Sequence, residues 1–453
     1  MKAMAEAATT STHPAHSLRY VVRQAGWAGV TDVVGLVLRY SLAILIARLH
    51  GPLGLGLYAL AMALANGATI VARLGLDQAM LRFIPHHRAR QEPGKVVGVL
   101  LFATLLVGLL GTAVALVLFF GAPYLAETWD RPEFSRAGRL IALTIPLMAL
   151  GQVWRAGLRG FQDVRLAVIL ERVVIPIATI SGFLLIFLVR PNDPLAAVAG
   201  VTFAYWLVGL VSLAVLLKKI RTIAAPPAYQ MGAWVKFALP MSLEGGLLFL
   251  VFWTDQLMIG WLLDASHVGV YTSAVRVAGL VVLPLVAINT IFAPTAASLH
   301  TRGDQATLQA LYARLTWSTA IVGGCIALSL LVGGRWVLGI FGSPFVAGHL
   351  ALTILVLGQA VNSATGPSGT ILAMTGNPKW RLANAALAAG LNVVLNLLLV
   401  PRWGIAGAAT ATATSISLIT LLQLLEVRWL VGLWAYDRRG LVLKRGSQNR
   451  SAA

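Results

Sequence analysis

Ionisable side chains set inside otherwise apolar sequence are the residues whose chemistry needs an explanation. Asp32 and Arg39 stand seven apart in one apolar run, so on a helix they share a face. Arg73 and Asp77 are four apart and can pair along one helix. Lys236, Glu244 and Asp255 occupy a third run, with the last two eleven apart, three helical turns. Arg276 lies in a fourth run, and Glu171-Arg172 opens another. Charge is costly at depth in hydrocarbon, so such groups face a bundle interior or a wet cavity. Two roles are open to them: ion pairs that brace helices, or a chamber that handles a charged solute. Arg73 and Asp77, close to one membrane surface, fit the first. Arg39 and Arg276 fit the second, as guanidinium donors able to hold an anionic headgroup. Asp32, Glu244 and Asp255 either neutralise those arginines or bind a coupling proton or sodium ion.

Other chemistries lack their parts. Gly54-Leu-Gly56 has no third glycine for a dinucleotide loop, and Gly366-Pro-Ser-Gly369-Thr370 has no lysine for a phosphate-binding loop. His86-His87 sits in a basic segment with no acidic partner at metal-ligand spacing. The single cysteine, Cys325, excludes an intramolecular disulfide and reads as a small core residue. The longest outer loop, about 122–137, is too short to be a catalytic domain. No enzyme, metal or cofactor is expected, and transport energy must come from an ion gradient, the membrane potential or the solute's own gradient.

The elements that position these charges are membrane spans. Of the 453 residues, 58% are apolar and only 11% are charged. Soluble proteins carry roughly 25% charged residues. Mean hydropathy is +0.81. Charge-free runs such as 96–126 and 403–425 reach the ~20 residues a helix needs to cross the hydrocarbon. Twelve spans are predicted, near 25–49, 54–80, 96–121, 138–157, 167–189, 195–217, 234–262, 268–293, 314–333, 347–373, 382–400 and 405–427. The stretch 336–378, free of Lys, Arg, Asp and Glu, has room for an extra re-entrant segment. The first seventeen residues are polar and small, so no removable signal peptide is expected. With the N-terminus inside, 23 of the 35 Lys and Arg fall on inner segments and 7 on outer ones. Basic residues favour the cytoplasmic side, so both termini are placed there. The net charge of +19 is thus spread over short loops beside anionic lipid, and no nucleic-acid partner is expected. Asp304–Arg314 reads as a short amphipathic surface helix capped by Asp304. Arg428–Arg445, with Trp429, Trp434 and Tyr436, reads as an interfacial anchor.

The two halves echo each other. Gly56-Leu-Tyr58 matches Gly269-Val-Tyr271, Thr31-Asp32 matches Thr254-Asp255, and Phe83-Ile-Pro85 matches Phe292-Ala-Pro294. Gly160-Phe-Gln-Asp-Val-Arg165-Leu-Ala likewise matches Gly376-Asn-Pro-Lys-Trp-Arg381-Leu-Ala. Six spans separate each pair, so both members face the same side and the repeats are parallel. The expected fold is all-α, with two parallel six-helix lobes around a cavity. The parts are a cytoplasmic tail (1–24), an N-lobe (25–217), a linker (218–233), a C-lobe (234–427) and a basic tail (428–453). Pro146, Pro176, Pro240 and Pro284 lie inside spans, where each removes a backbone hydrogen bond. Pro240 with Gly245 and Gly246, and Pro367 in span 10, are the expected hinges.

The chain resembles the polysaccharide transporters, the O-antigen and exopolysaccharide flippases, of the multidrug/oligosaccharidyl-lipid/polysaccharide flippase superfamily. The similar stretches are Ala47 to Tyr58, Gly75 to Arg82, Thr254 to Gly260, Val268 to Arg276 and, most fully, Asn392 to Thr412. The resemblance implies a MATE-like fold and a flippase of the bacterial inner membrane that moves a polyprenyl-diphosphate-linked oligosaccharide. It implies a basic cavity, carried here by Arg39 and Arg276, and a polymerase and glycosyltransferases of the same pathway as partners. The alternative is a proton- or sodium-coupled drug or metabolite antiporter of the same superfamily. Twelve spans rather than the fourteen of lipid II flippases argue against a peptidoglycan precursor.

Overall fold

The structure, a computed structural model, describes residues 18–128, 132–223 and 225–437, and among them it contains helices and turns but no strand. In chain order the helices are α1 (Leu18–Arg73), α2 (Leu76–Ala89), α3 (Pro93–Thr128), α4 (Glu133–Gly160) and α5 (Val164–Ile169). A π turn at Leu170–Val174 leads into α6 (Ile175–Val189), followed by α7 (Ala196–Arg221) and α8 (Met231–Leu262). Then come α9 (Ala265–Gly279), a 3₁₀ turn at Leu280–Val282, α10 (Leu283–Thr301) and α11 (Gln305–Gly339). A 3₁₀ turn at Ser343–Gly348 precedes α12 (His349–Ala364), α13 (Ser368–Met374) and α14 (Pro378–Glu426).

Ten helical stretches among the described residues are long and apolar enough to cross a membrane. The two longest each hold two passes. Both α1 and α14 are interrupted by one left-handed glycine, Gly51 (φ 65°) and Gly404 (φ 56°). Asn392 Nδ2 donates to Thr412 Oγ1 at 3.4 Å, although twenty residues of unbroken helix would separate them by about 30 Å. The chain therefore folds back at Gly404. Tyr40 Oη donates to the Arg276 carbonyl at 2.6 Å, while Gly56, beyond Gly51, packs on the backbone of Ala265 and Gly269 in the same helix, so α1 folds back too. Twelve passes result. A Cβ at Gly404 would be held in the left-handed region, at a cost of about 1–2 kcal/mol. Gly404→Ala should therefore lower the melting temperature of the purified protein. Gly390→Ala, in open space on the same helix, should not.

The 51, 190–195, 264, 342 and 404 turns share one end of the bundle, called outer here after the distribution of basic residues. At that end one apolar core runs through both lobes, from Leu42, Leu57 and Phe183 to Val268, Phe345 and Ala408. At the inner end the core divides. One cluster gathers Met80, Val99, Trp154 and Leu216 of the N-lobe with Trp234 and Ala238 at the start of α8. Another holds Phe292, Tyr312, Leu372 and Val427 of the C-lobe. The two lobes share one core outside, whereas inside the C-lobe core is separate and only the start of α8 stays packed on the N-lobe. Gly56 and Gly269, partners in the sequence repeat, meet at the outer seam. A Cβ on either would lie 3.0 Å from the other's backbone nitrogen. Nearby, Arg48 of the N-lobe donates to the Ile340 and Gly339 carbonyls of the C-lobe at 2.7 and 3.0 Å.

Several expectations need correction. The 82–95 segment is mostly helix, since α2 continues to Ala89. No separate surface helix forms at 304–314: Asp304 does cap a helix, accepting from Thr307 N at 3.1 Å, but that helix is α11 itself. Leu308 and Tyr312 bury its first turns against the C-lobe, which keeps it continuous. Within 336–378 there is a 3₁₀ turn and a helix broken around Gly366 (φ 64°) and Pro367, with no additional pass. Cys325 is exposed on α11 rather than buried. The linker docks, with Ala228 N donating to Gly94 O at 2.8 Å. The C-terminal segment folds under the C-lobe, where Tyr436 donates to Ala364 O at 2.6 Å. Residues 1–17 and 438–453 of the two tails lie outside the described residues, as does Arg131.

Candidate functional site

Arg39 lies on the first pass of α1 and Arg276 in the last turn of α9, where the helix dipole favours a cation. Pro284 follows, and the chain between is the 3₁₀ turn that ends α9. Tyr40 Oη donates to the Arg276 carbonyl at 2.6 Å, tying the N-lobe helix to the C-lobe one. Both arginines lie within electrostatic reach of Tyr40 and of the half-buried Tyr58, and Arg39 also of Tyr205. They therefore converge from opposite lobes. Arg39 is exposed, whereas Arg276 is half-buried with its Nε unpartnered. Neither pairs with a carboxylate among the described residues.

The three acids proposed from sequence to neutralise those arginines have other partners. Asp32 pairs with Arg172 of the π turn. Glu244 accepts from Arg381 at 3.2 Å across α8 and α14. Asp255 is 4% exposed and accepts only from neutral donors. These are Tyr271 Oη at 2.6 Å, Asn396 Nδ2 at 2.8 Å and the Thr412 hydroxyl. Asn396 also donates to Asn392 Oδ1 at 3.1 Å. Four passes of the C-lobe thus surround one carboxylate with no cation beside it. Glu244 and Asp255 were expected on one face, and they serve different sites. The repeat has diverged here: Asp32 has a guanidinium, and its counterpart Asp255 has hydroxyls and amides.

Arg73 and Asp77 do pair, at 3.0 Å. Leu74 and Gly75 are both left-handed and break the helix between them. Arg73 therefore ends α1 and Asp77 starts α2, so each charge opposes the dipole of its own helix end. The pair also opens on a crevice of about 140 Å³ shared with Met241, Ser242 and Gly245 of α8. Of the expected hinges, Pro367 sits at a real break, while α8 runs on through Pro240, Gly245 and Gly246.

Sequence reasoning does not single out Arg155, which falls at the inner end of the predicted span 138–157. It is inside α4, 2% exposed, with Nε and Nη1 unpartnered. Its guanidinium lies against Gly151 and near Tyr205 and Glu171. Glu171 in turn pairs with Arg159 at 3.3 Å. His87 also differs from expectation. It is buried, and its Nδ1 lies 2.8 Å from Glu92 Oε2. No set of three metal-ligating side chains occurs among the described residues.

A two-lobed bundle of twelve apolar passes with unpaired arginines between its lobes defines a MATE-like membrane transporter. The fold aligns with an inward-facing MATE-family multidrug transporter at a TM-score of 0.71 and 15% identity, covering 89% of this chain and 98% of the other. It aligns with the lipid II flippase MurJ at 0.70 and 14% identity, covering 88% and 87%. The chain belongs to the polysaccharide biosynthesis protein family, whose pattern it matches over residues 21–300, and it matches the MatE family over 240–398. It is 25% identical over 219 residues to a probable low-salt glycan biosynthesis flippase of Haloferax volcanii, spanning 47% of this chain and 46% of that one. It is 27% identical over 242 residues to a putative O-antigen transporter of Shigella flexneri, spanning 51% and 56%. The chain spans about half the length of these two curated relatives. The family consists of transporters and flippases, not enzymes.

Proposed function

We propose that this protein flips a polyprenyl-diphosphate-linked oligosaccharide across the bacterial cytoplasmic membrane, with both termini in the cytoplasm. The observation that carries this reading is the pair of guanidinium groups from opposite lobes, facing the same tyrosines with no carboxylate partner. Arginine's planar fork donates paired hydrogen bonds, which suits a diphosphate. The sugar's hydroxyls cannot enter hydrocarbon unpaired, so a polar space between lobes must shelter them while the polyprenyl tail stays in lipid. A core continuous outside and divided inside supports loading from the cytoplasmic leaflet, followed by rocking of the lobes. Reconstitution in liposomes with a fluorescent polyprenyl-diphosphate glycan tests it. Leaflet exchange should depend on the protein, and exchange equal to that of empty liposomes rejects the reading.

Asp255 is the group best suited to coupling. A carboxylate among neutral donors lacks a countercharge, which a proton or sodium ion supplies. Asp255→Asn should flatten the dependence of exchange on pH or sodium, whereas Glu244→Gln, losing a pair with Arg381, should leave that profile intact. Unchanged profiles in both would make Asp255 structural. The antiporter reading needs acids that are both open to the cavity and free of an arginine: Asp32 and Glu244 are each paired with one, and Asp255 is buried.

A further inference from the structure

The π turn at Leu170–Val174 carries two adjacent charges to different neighbours. Glu171 meets Arg159 of α4 within the N-lobe, and Arg172 reaches Asp32 on the first pass of α1. π turns recur at functional sites because they break the helical register. Asp32 and Arg172 are each 39% exposed, unlike Arg155 behind them. A solute entering between the lobes can therefore reach this pair. Asp32 lies seven residues from Arg39 on one helix, about 10 Å along its axis and on the same face.

The charge balance favours an incoming anion. In the N-lobe interior Arg39, Arg73, Arg155, Arg159 and Arg172 face Asp32, Asp77 and Glu171. All three acids are paired, Asp77 to Arg73, Glu171 to Arg159 and Asp32 to Arg172. The Asp32 and Glu171 pairs are both half-open, and of these two acids Asp32 is the one that shares a helix face with Arg39. A half-exposed ion pair is held weakly compared with a buried one, so exchanging one carboxylate for a phosphate meets a small barrier. Phosphate oxygens then make the stronger charge-assisted bonds with the freed guanidinium.

We propose that Arg172 is a third diphosphate-binding guanidinium, and that Asp32 is its internal stand-in for phosphate, displaced when substrate arrives. This rests on the flippase reading above. Gly35, one turn beyond Asp32, packs on the Arg172 carbonyl, so the first pass of α1 is seated on the π turn. Displacing Asp32 removes the polar half of that seat, which lets substrate binding loosen the first pass from α5 and α6.

The test is calorimetric titration of the purified full-length protein in detergent with farnesyl diphosphate, with farnesol as the apolar control. Arg172→Met should weaken diphosphate binding about tenfold. Asp32→Asn, which removes the competing anion, should tighten it severalfold, and the double variant should bind like Arg172→Met alone. Asp32→Ser serves if Asp32→Asn fails to fold. A pair that only braces the helices predicts the same direction for both single variants, and that result overturns the proposal. Wild-type binding that does not distinguish farnesyl diphosphate from farnesol would instead sink the flippase reading, and this proposal with it.

Discussion

Arg276→Ala should cut export of the lipid-linked glycan about tenfold or more while leaving protein abundance unchanged. The size follows from the bonds removed, since hydrogen bonds to a charged group are worth about 1.5–3 kcal/mol each. The sparing of the fold follows from where Arg276 sits. Tyr40 holds its carbonyl, which alanine keeps, and no carboxylate is left behind when the guanidinium goes. Arg276→Lys separates charge from shape: a lysine keeps the cation but loses the fork, so partial export is expected. Arg39→Ala combined with Arg276→Ala should bring export to background. Full export by that double variant, measured with a pulse of labelled carrier in membrane vesicles, would remove the arginine clamp.

Much of the scaffold was legible because a membrane imposes a strict rule. Each crossing needs an uninterrupted apolar helix, so twelve passes can be counted from composition and turn residues. The repeat was readable for a related reason: Gly56 and Gly269 had to stay small where the lobes touch. The Arg73–Asp77 pair was also legible, as a four-residue spacing that holds even across a helix break. Partners across helices were not. Spacing says that Asp32 and Arg39 share a face, but not that a π turn would swing Arg172 toward Asp32. Arg155, at the inner end of the predicted span 138–157, was passed over because an arginine near a span end is ordinarily solvated by the membrane surface. The Asp255 network was hidden in neutral residues, although Asn392 and Asn396, four apart in an apolar run, already marked one polar stripe. Inside a bundle such amides need partners, and a nearby aspartate is the natural one.

Gly56→Leu should abolish transport by wedging the outer seam. The neighbours that a side chain at 56 would strike are backbone atoms of Ala265 and Gly269, which cannot rotate away as a side chain can. Gly269→Leu meets Pro52 and Gly56 in the same way, as the repeat requires. The strain is relieved only if the lobes part outside, against the shared apolar core and the two bonds from Arg48. Overpacking costs of about 1–3 kcal/mol are enough to shift a two-state equilibrium by roughly 5- to 150-fold. The population should move toward an outward-open form. A cysteine at Ala265, 4% exposed, reports the seam once the exposed Cys325 is replaced by serine. Membrane-impermeant maleimide should label Ala265→Cys slowly alone and fast with Gly56→Leu. Gly390→Leu, where a side chain meets open space, is the matched control and should leave labelling slow. Slow labelling with Gly56→Leu, together with normal export, would mean that the lobes do not turn about this seam. Fast labelling with lost export would make the Gly56–Gly269 contact the closed outer gate, and the arginines beneath it a site served from one leaflet at a time.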